Sequence, residues 1–416
     1  MNKYAFTQQT RLLQQEAQAE PGLAEIVVAY TRICTDRGST PEFCSTEEQA
    51  AARVARASWF QKSFLERNAH LPAQVCALFV AYGQELSYKN LPLIFSDEDL
   101  AFRLGISLRQ LHWLAYARSG RYHALKIPKS NGSLRELHAP AAKLKTVQKW
   151  IAQHILHKRK PHQYATAYFP GSRLIDNANP HVGRKLVVRL DLKNFFPSIG
   201  FAHVRRVFTD LGYTYSVSRL LANLCCHEGR LVQGAPSSPA LSNLVAHRLD
   251  ARITGIKRAQ AAKTKEEGRW KFYYSRYADD LIFSSDEEKL LGILPLVRQI
   301  VQEEGFQINE DKTRIMRSGR QQQVTGIVVN QHPNIPAGQA RFLRSVLHDI
   351  KIHGLAAAMR RWQLSGLAAP NSPAHFRQIL GGKIAFVAAV NPAKGQKLLD
   401  TLKHLDFTTC WIEGCR

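Results

Sequence analysis

Tyr277-Ala278-Asp279-Asp280 sets two carboxylates side by side between the apolar halves of FYYSRYADDLIFSS. Two unit charges about 4 Å apart cost on the order of 4 kcal/mol at an effective dielectric near 20, so a cation must offset them. A third acid, Asp191, ends the apolar run of KLVVRLDLKNFFPSI. If the two segments are neighbours in one sheet, three carboxylates meet at one edge. Hard oxygen donors without Cys or His suit Mg²⁺, which shares its remaining positions with water and substrate phosphates. Two such ions about 4 Å apart can activate a hydroxyl and stabilise the leaving oxygen of an in-line phosphoryl displacement. An isolated Asp-Asp pair is usually a solvated turn. Here the flanking apolar runs, the third acid and the strongly basic chain favour nucleotidyl transfer.

The elements that must position these acids are legible. KLVVRLDLKNFFPSI reads as a strand by its β-branched run, stopped by Pro197, and FYYSRYADDLIFSS as a hairpin. A Gly/Pro loop and helix, LVQGAPSSPALSNLVAHRLD, lie between them; a helix through LLGILPLVRQIVQEEG and strands around FQIN and QQVTGIVV follow. This order predicts an α+β fold with a split β-α-β, mostly antiparallel sheet. Upstream, KIPKSNGSLRELHAP carries an Asn131-Gly132 turn between extended stretches, with Lys126, Lys129 and Arg135 around it. AAKLKTVQKWIAQHILHKRK reads as a basic amphipathic helix. Residues 1–95 read as helical, with a Ser45/Glu48 capping box. Ser96 and Ser107 cap two further helices.

The 416 residues carry 57 Lys and Arg against 33 Asp and Glu, a formal charge of +24, so nucleic acid is the expected partner. No apolar run approaches the roughly 20 residues that span a bilayer, and the polar start does not read as a secretory signal; a cytoplasmic, membrane-free protein is expected. Seven scattered cysteines (34, 44, 76, 225, 226, 410, 415) form no CxxC pair and read as free thiols. Cys225, Cys226 and His227 are consecutive, which disfavours convergence on one metal. His154 and His157, among Lys149, Lys158, Arg159 and Lys160, read as a solvated or RNA-facing surface.

Taken together, YADD, DLKNFFPSI and QGAPSSPALSN in that order make the sequence resemble a reverse transcriptase. NANPH, residues 177–181, fits the NAxxH element that retron reverse transcriptases carry upstream of the first carboxylate, and VTG, residues 324–326, fits their downstream element. The resemblance implies a right-hand polymerase: fingers and palm over 96–335, the palm centred on 185–335, a helical thumb over 336–416, and a helical extension over 1–95. It implies two Mg²⁺ ions held by Asp191, Asp279 and Asp280 with the Leu192 carbonyl assisting. Lys129, Arg135 and Gln233 would hold the incoming dNTP, and Phe196 would block a ribose 2′-hydroxyl. On a strand, Phe195 beside it would face the other way. Lys312 would protonate the leaving pyrophosphate. Asn177, Ala178, His181, Val324, Thr325 and Gly326 would recognise RNA.

The resemblance further implies a structured noncoding RNA as template and primer, cDNA begun from a 2′-hydroxyl, and an effector protein in antiphage defence. Two positions depart from the family pattern: Asn194, often Asp, and Tyr168-Phe169, where a Gly-Phe pair is usual. Neither is among the expected ligands. Rival readings are a group II intron-like or diversity-generating reverse transcriptase, a nuclease, and a non-catalytic RNA-binding protein on a polymerase scaffold. About 80 residues after 336 leave little space for an intron maturase region, and NAxxH argues against both enzyme rivals.

Overall fold

A computed structural model describes residues 73–128, 134–263, 271–365, 370–405 and 407, with a few positions between 58 and 69. The expected capping box at Ser45 lies outside the described residues. The chain forms two compact units that interleave in sequence: one within 1–170, 193–251 and 302–306, the other within 171–192, 252–301 and 307–416.

The first unit begins with α1 (Ala73–Tyr88), α2 (Asp97–Arg103) and α3 (Leu108–Tyr116). Ser96 and Ser107 cap α2 and α3 as their sequences predict, each hydroxyl accepting from the N–H three residues on. The hairpin β1 (Tyr122–Pro128) and β2 (Leu134–Pro140) follows, with Ile127 opposite Arg135. The basic helix is α4 (Ala142–His154). It buries Leu144, Val147 and Ile151 on one face, the stripe that its spacing predicts.

In the second unit, a short helix α5 (Leu174–Ala178) precedes β3 (Leu186–Leu192). The chain then returns to the first unit for α6 (Phe201–Leu211), α7 (Tyr215–Cys225) and α8 (Ser238–Val245), and α9 (His247–Lys263) follows. Next come β4 (Phe272–Tyr277), β5 (Asp280–Ser285), α10 (Leu294–Glu303) and β6 (Ile308–Arg317). These strands form one sheet, ordered β4-β5-β3-β6, with every neighbouring pair antiparallel. The β3 side chains are almost all buried, as a continuous β-branched run requires of a central strand.

A small hairpin, β7 (Gln323–Val324) and β8 (Ile327–Val328), leads into four helices: α11 (Ala337–His353), α12 (Leu355–Leu364), α13 (Pro373–Val390) and α14 (Pro392–Lys403). Leu343, Leu347, Trp362, Phe376, Leu380 and Val387 of these helices share one core with Val187 and Ile282 of the sheet. The mixed α+β architecture and its antiparallel sheet are those expected from the order of elements.

One local expectation needs correcting. The strand ends at Leu192 rather than running on through the phenylalanines. Asn194 takes a left-handed conformation (φ 50°), which Asn tolerates better than most residues, and one helical turn covers Phe195–Ser198. Phe195 and Phe196 therefore do not alternate between faces, and both are buried.

Candidate active site

Within the second unit the backbone brings the three acids together. Asp191 stands directly opposite Asp280 in the β3–β5 pairing, and the Leu192 N–H donates to the Asp279 carbonyl at 2.8 Å. Asp279 shares the two-residue connection between β4 and β5 with Ala278. Ala278 has φ 57°, an uncommon conformation for a residue with a Cβ, and it is buried. Arg276, wholly buried on β4, donates from Nη1 to the Ala278 carbonyl at 3.2 Å and braces that turn.

Two cations answer the repulsion. The Lys312 ammonium lies 3.0 Å from both carboxylate oxygens of Asp191. It reaches them because β6 is irregular there: Arg189 pairs with Arg314 and Asp191 with Asn309, so β3 advances two residues while β6 advances five. The surplus arches outward and re-aims Lys312, as bulges do. A bidentate pair from Arg298 on α10 to Glu310, at 2.8 and 3.0 Å, anchors that arch. Arg189 supplies the second cation. Its Nε lies 3.8 Å from Asp280 Oδ1, close enough for charge and too far for a hydrogen bond. Burial, with help from the charges of Asp279 and Asp191, pushes the Asp280 carboxyl up to about 6 against the lowering effect of Arg189 and Lys312.

The donor set, three carboxylates with no sulfur or nitrogen, fits a hard divalent cation, and the raised Asp280 carboxyl shows how much negative charge the edge holds. In this arrangement the Asp191 carboxylate faces Lys312. Among the described residues no three His, Cys, Asp or Glu side chains form a closed metal cage. A cation binding here must take the place of Lys312 at Asp191.

Arg189 and Arg276 are the residues that sequence reasoning missed. The signal for Arg189 was available: in a strand, residues two apart share a face, so Arg189 and Asp191 must point the same way. Nothing in the sequence marks Arg276, whose role depends on the turn geometry.

The residues expected to contact nucleotide lie on segments of the first unit. Phe196 is buried, with Tyr168, itself at φ 62°, at a ring-centroid distance of 6.2 Å. Gln233 is half-buried, and its carbonyl accepts from the His138 N–H of β2 at 3.0 Å. Gly234 follows at φ 105°, where a Cβ would sit 3.1 Å from the His138 carbonyl oxygen; this close approach leaves little room for any side chain. The Phe196 turn and the Gln233 loop are tied together, with the Leu231 N–H donating to the Ile199 carbonyl at 3.0 Å and Arg230 to the Pro197 carbonyl at 3.1 Å. Lys129 and the side chain of Arg135 lie outside the described residues.

The expected RNA contacts divide differently. Asn177, Ala178, His181 and Val324 are wholly buried. The His181 ring is held between two hydroxyls, Nδ1 2.7 Å from Ser284 and Nε2 2.8 Å from Ser275. Those serines belong to β5 and β4, so His181 staples the two strands that carry Asp279 and Asp280. As folded here, these four side chains offer RNA no surface. Thr325 and Gly326 differ: both have positive φ, 46° and 85°, at the tip of the β7–β8 hairpin, and Gly326 is exposed.

Cys76, Cys225 and Cys226 are free, buried thiols, and the other four cysteines lie outside the described residues. Among the described residues no helix is long and apolar enough to cross a membrane.

Comparison with known proteins agrees with this site. The reverse transcriptase (RNA-dependent DNA polymerase) family pattern matches residues 127–343. The chain is 35% identical over 343 residues to the retron Mx65 reverse transcriptase of Myxococcus xanthus, covering 76% of this chain and 73% of that one. It is 30% identical over 412 residues to the retron Mx162 reverse transcriptase of the same organism, covering 88% and 79%. It is 32% identical over 266 residues to the retron Ec86 reverse transcriptase of Escherichia coli, covering 63% and 80%. The chain therefore belongs to the retron reverse transcriptases, a family of RNA-directed DNA polymerases.

Proposed function

We propose that this polymerase copies part of a structured noncoding RNA into DNA, beginning at a ribose 2′-hydroxyl of that RNA and leaving a 2′,5′-branched RNA–DNA product. The observation that carries the chemistry is the pairing of Asp191 with Asp280 across adjacent strands, with Asp279 tied to Leu192. Asp191, Asp279, Asp280 and the Leu192 carbonyl would hold two Mg²⁺ ions, which when bound supply Lewis-acid stabilisation of an in-line phosphoryl displacement. Lys312, released from Asp191, is the group that gives a proton to the leaving pyrophosphate. Lys129, Arg135 and Gln233 hold the incoming dNTP, Arg135 as a fork and Lys129 as a point charge, and Phe196 excludes a ribose 2′-hydroxyl. Thr325 and Gly326 face the RNA, whereas Asn177, Ala178, His181 and Val324 serve recognition through the elements they hold in place. The helices from α11 onward form the thumb. Branched product and an effector protein together would act in antiphage defence, in the cytoplasm.

The primary test is Mg²⁺-dependent dNTP incorporation by the full chain and by Asp279→Asn. Loss of incorporation in the variant supports the site; equal incorporation removes it. Branching is read separately, by whether a 2′,5′-debranching activity severs the RNA–DNA linkage of the isolated product. An ordinary 3′,5′ junction would overturn that part alone.

A further inference from the structure

A second basic feature stands apart from the carboxylates in chemistry and lies wholly within the first unit. A cavity of about 330 Å³, in the size range of small-ligand clefts, is lined by Tyr88 at the end of α1, by Lys158, Arg159 and Lys160 after α4, and by the end of α6. Two of its charged residues are already engaged. Lys89 pairs with Glu85 and donates to the Leu211 carbonyl at 2.9 Å, and Asp210 pairs with Arg206 at 3.8 Å. Lys158, Arg159 and Lys160 are exposed, and none takes part in an ion pair among the described residues. They are nonetheless held in place. The turn Leu156–Lys158 is rooted by buried Ile155 and Leu156, and the Arg159 N–H donates to the Leu156 carbonyl at 3.2 Å. Tyr88 is 58% exposed, an aromatic ring left open beside three uncommitted cations.

We propose that this cavity binds one unpaired nucleotide of an RNA strand, its phosphate against Arg159 with Lys158 and Lys160, and its base against the Tyr88 ring. The proposal rests on the reading that the chain carries RNA. A guanidinium presents a planar fork to phosphate oxygens, two ammonium groups add charge, and an aromatic face takes any base. An acidic protein surface would use the cations but leave the ring without a role. Unpaired nucleotides, unlike those in a duplex, can splay a base onto such a ring.

The test uses the full chain, a fluorescein-labelled 20-nucleotide single-stranded RNA containing 4-thiouridine, and preformed poly(rA)/oligo(dT) for incorporation. Changing Lys158, Arg159 and Lys160 together to Ala should weaken binding of the RNA about 10- to 100-fold at 0.15 M salt and flatten the log–log salt slope by about 2. Tyr88→Ala should weaken it about 10-fold and lose photocrosslinking near position 88, while Tyr88→Phe stays within about 2-fold. All three should keep the wild-type kcat at saturating poly(rA)/oligo(dT) and the wild-type melting temperature. Unchanged RNA affinity and salt slope in the triple variant, or equal losses in Tyr88→Phe and Tyr88→Ala, would overturn the proposal. Loss of an acidic protein partner with RNA binding intact would also overturn it. Failure of the functional reading looks different, because a wild-type chain without incorporation leaves these affinity comparisons standing.

Discussion

The Lys312 ammonium lies 3.0 Å from each oxygen of Asp191, in the place a divalent cation would need. Two roles therefore meet in one lysine: in the metal-free protein it neutralises the first carboxylate, and during turnover it is free to donate a proton. Lys312→Ala should bind Mn²⁺ several-fold more tightly, because a competitor is gone, yet incorporate dNTPs about 10²-fold more slowly, because a general acid is gone. Mn²⁺ titration followed by electron paramagnetic resonance, beside single-turnover kinetics, separates the two. Weaker Mn²⁺ binding by the variant would show that Lys312 assists the metal instead.

Arg189 carries the other half of the metal-free charge balance, 3.8 Å from Asp280. Arg189→Gln leaves the crowded carboxylates with one counter-charge fewer in a half-buried setting. Stability without divalent ions should drop by about 1–2 kcal/mol, and most of the loss should be recovered in millimolar Mg²⁺, since a ligand that binds only the folded state stabilises it. Urea denaturation with EDTA and with Mg²⁺ checks this. A loss that Mg²⁺ does not touch would mean that Arg189 matters only for packing.

His181 provides a pH dependence far from any carboxylate of the site. Burial, and secondarily the charge of Arg184, lowers its ring from 6.5 to about 3. The folded state thus demands a neutral imidazole that the unfolded chain would protonate. Its stabilising contribution is complete above pH 6.5 and falls away as pH drops toward 3, by about 2 kcal/mol at pH 5. The difference in unfolding free energy between wild type and His181→Gln, measured from pH 7.5 to pH 5, should shrink along that slope. A constant difference would count against a buried neutral ring. The variant should also lose incorporation, since the staple between Ser275 and Ser284 aligns the acidic hairpin.

Gly395 allows α14 to lie against α13. A Cβ placed there would come within 2.2 Å of the Ala388 Cα, a clash with backbone that no rotamer relieves. Gly395→Ala should destabilise the helical subdomain by about 1–3 kcal/mol, lowering the melting temperature by roughly 4 °C or more. Adding Ala388→Gly should return only part of this, because the Ala388 backbone lies as close as its Cβ. Wild-type melting of the single variant would refute the close packing.

The sequence by itself determined the sheet and the identity of its acids. Apolar runs with period-two logic, a Pro stop after β3 and the acidic pair between two strands can be satisfied by few arrangements, and antiparallel neighbours of that order put Asp191 beside Asp280. Ser96 and Ser107 were likewise readable, because a cap acts on its own next turn. What only the tertiary structure decided lies beyond such local rules. A three-residue slip in β6 carries Lys312 to Asp191, and no pattern announces a slip whose energy depends on both partners and on the Arg298–Glu310 brace. The left-handed Asn194 ended the strand early and buried both phenylalanines. The NAxxH residues read as surface because they are polar, yet His181 lies in the core because Ser275 and Ser284, nearly a hundred residues away, satisfy both its nitrogens there.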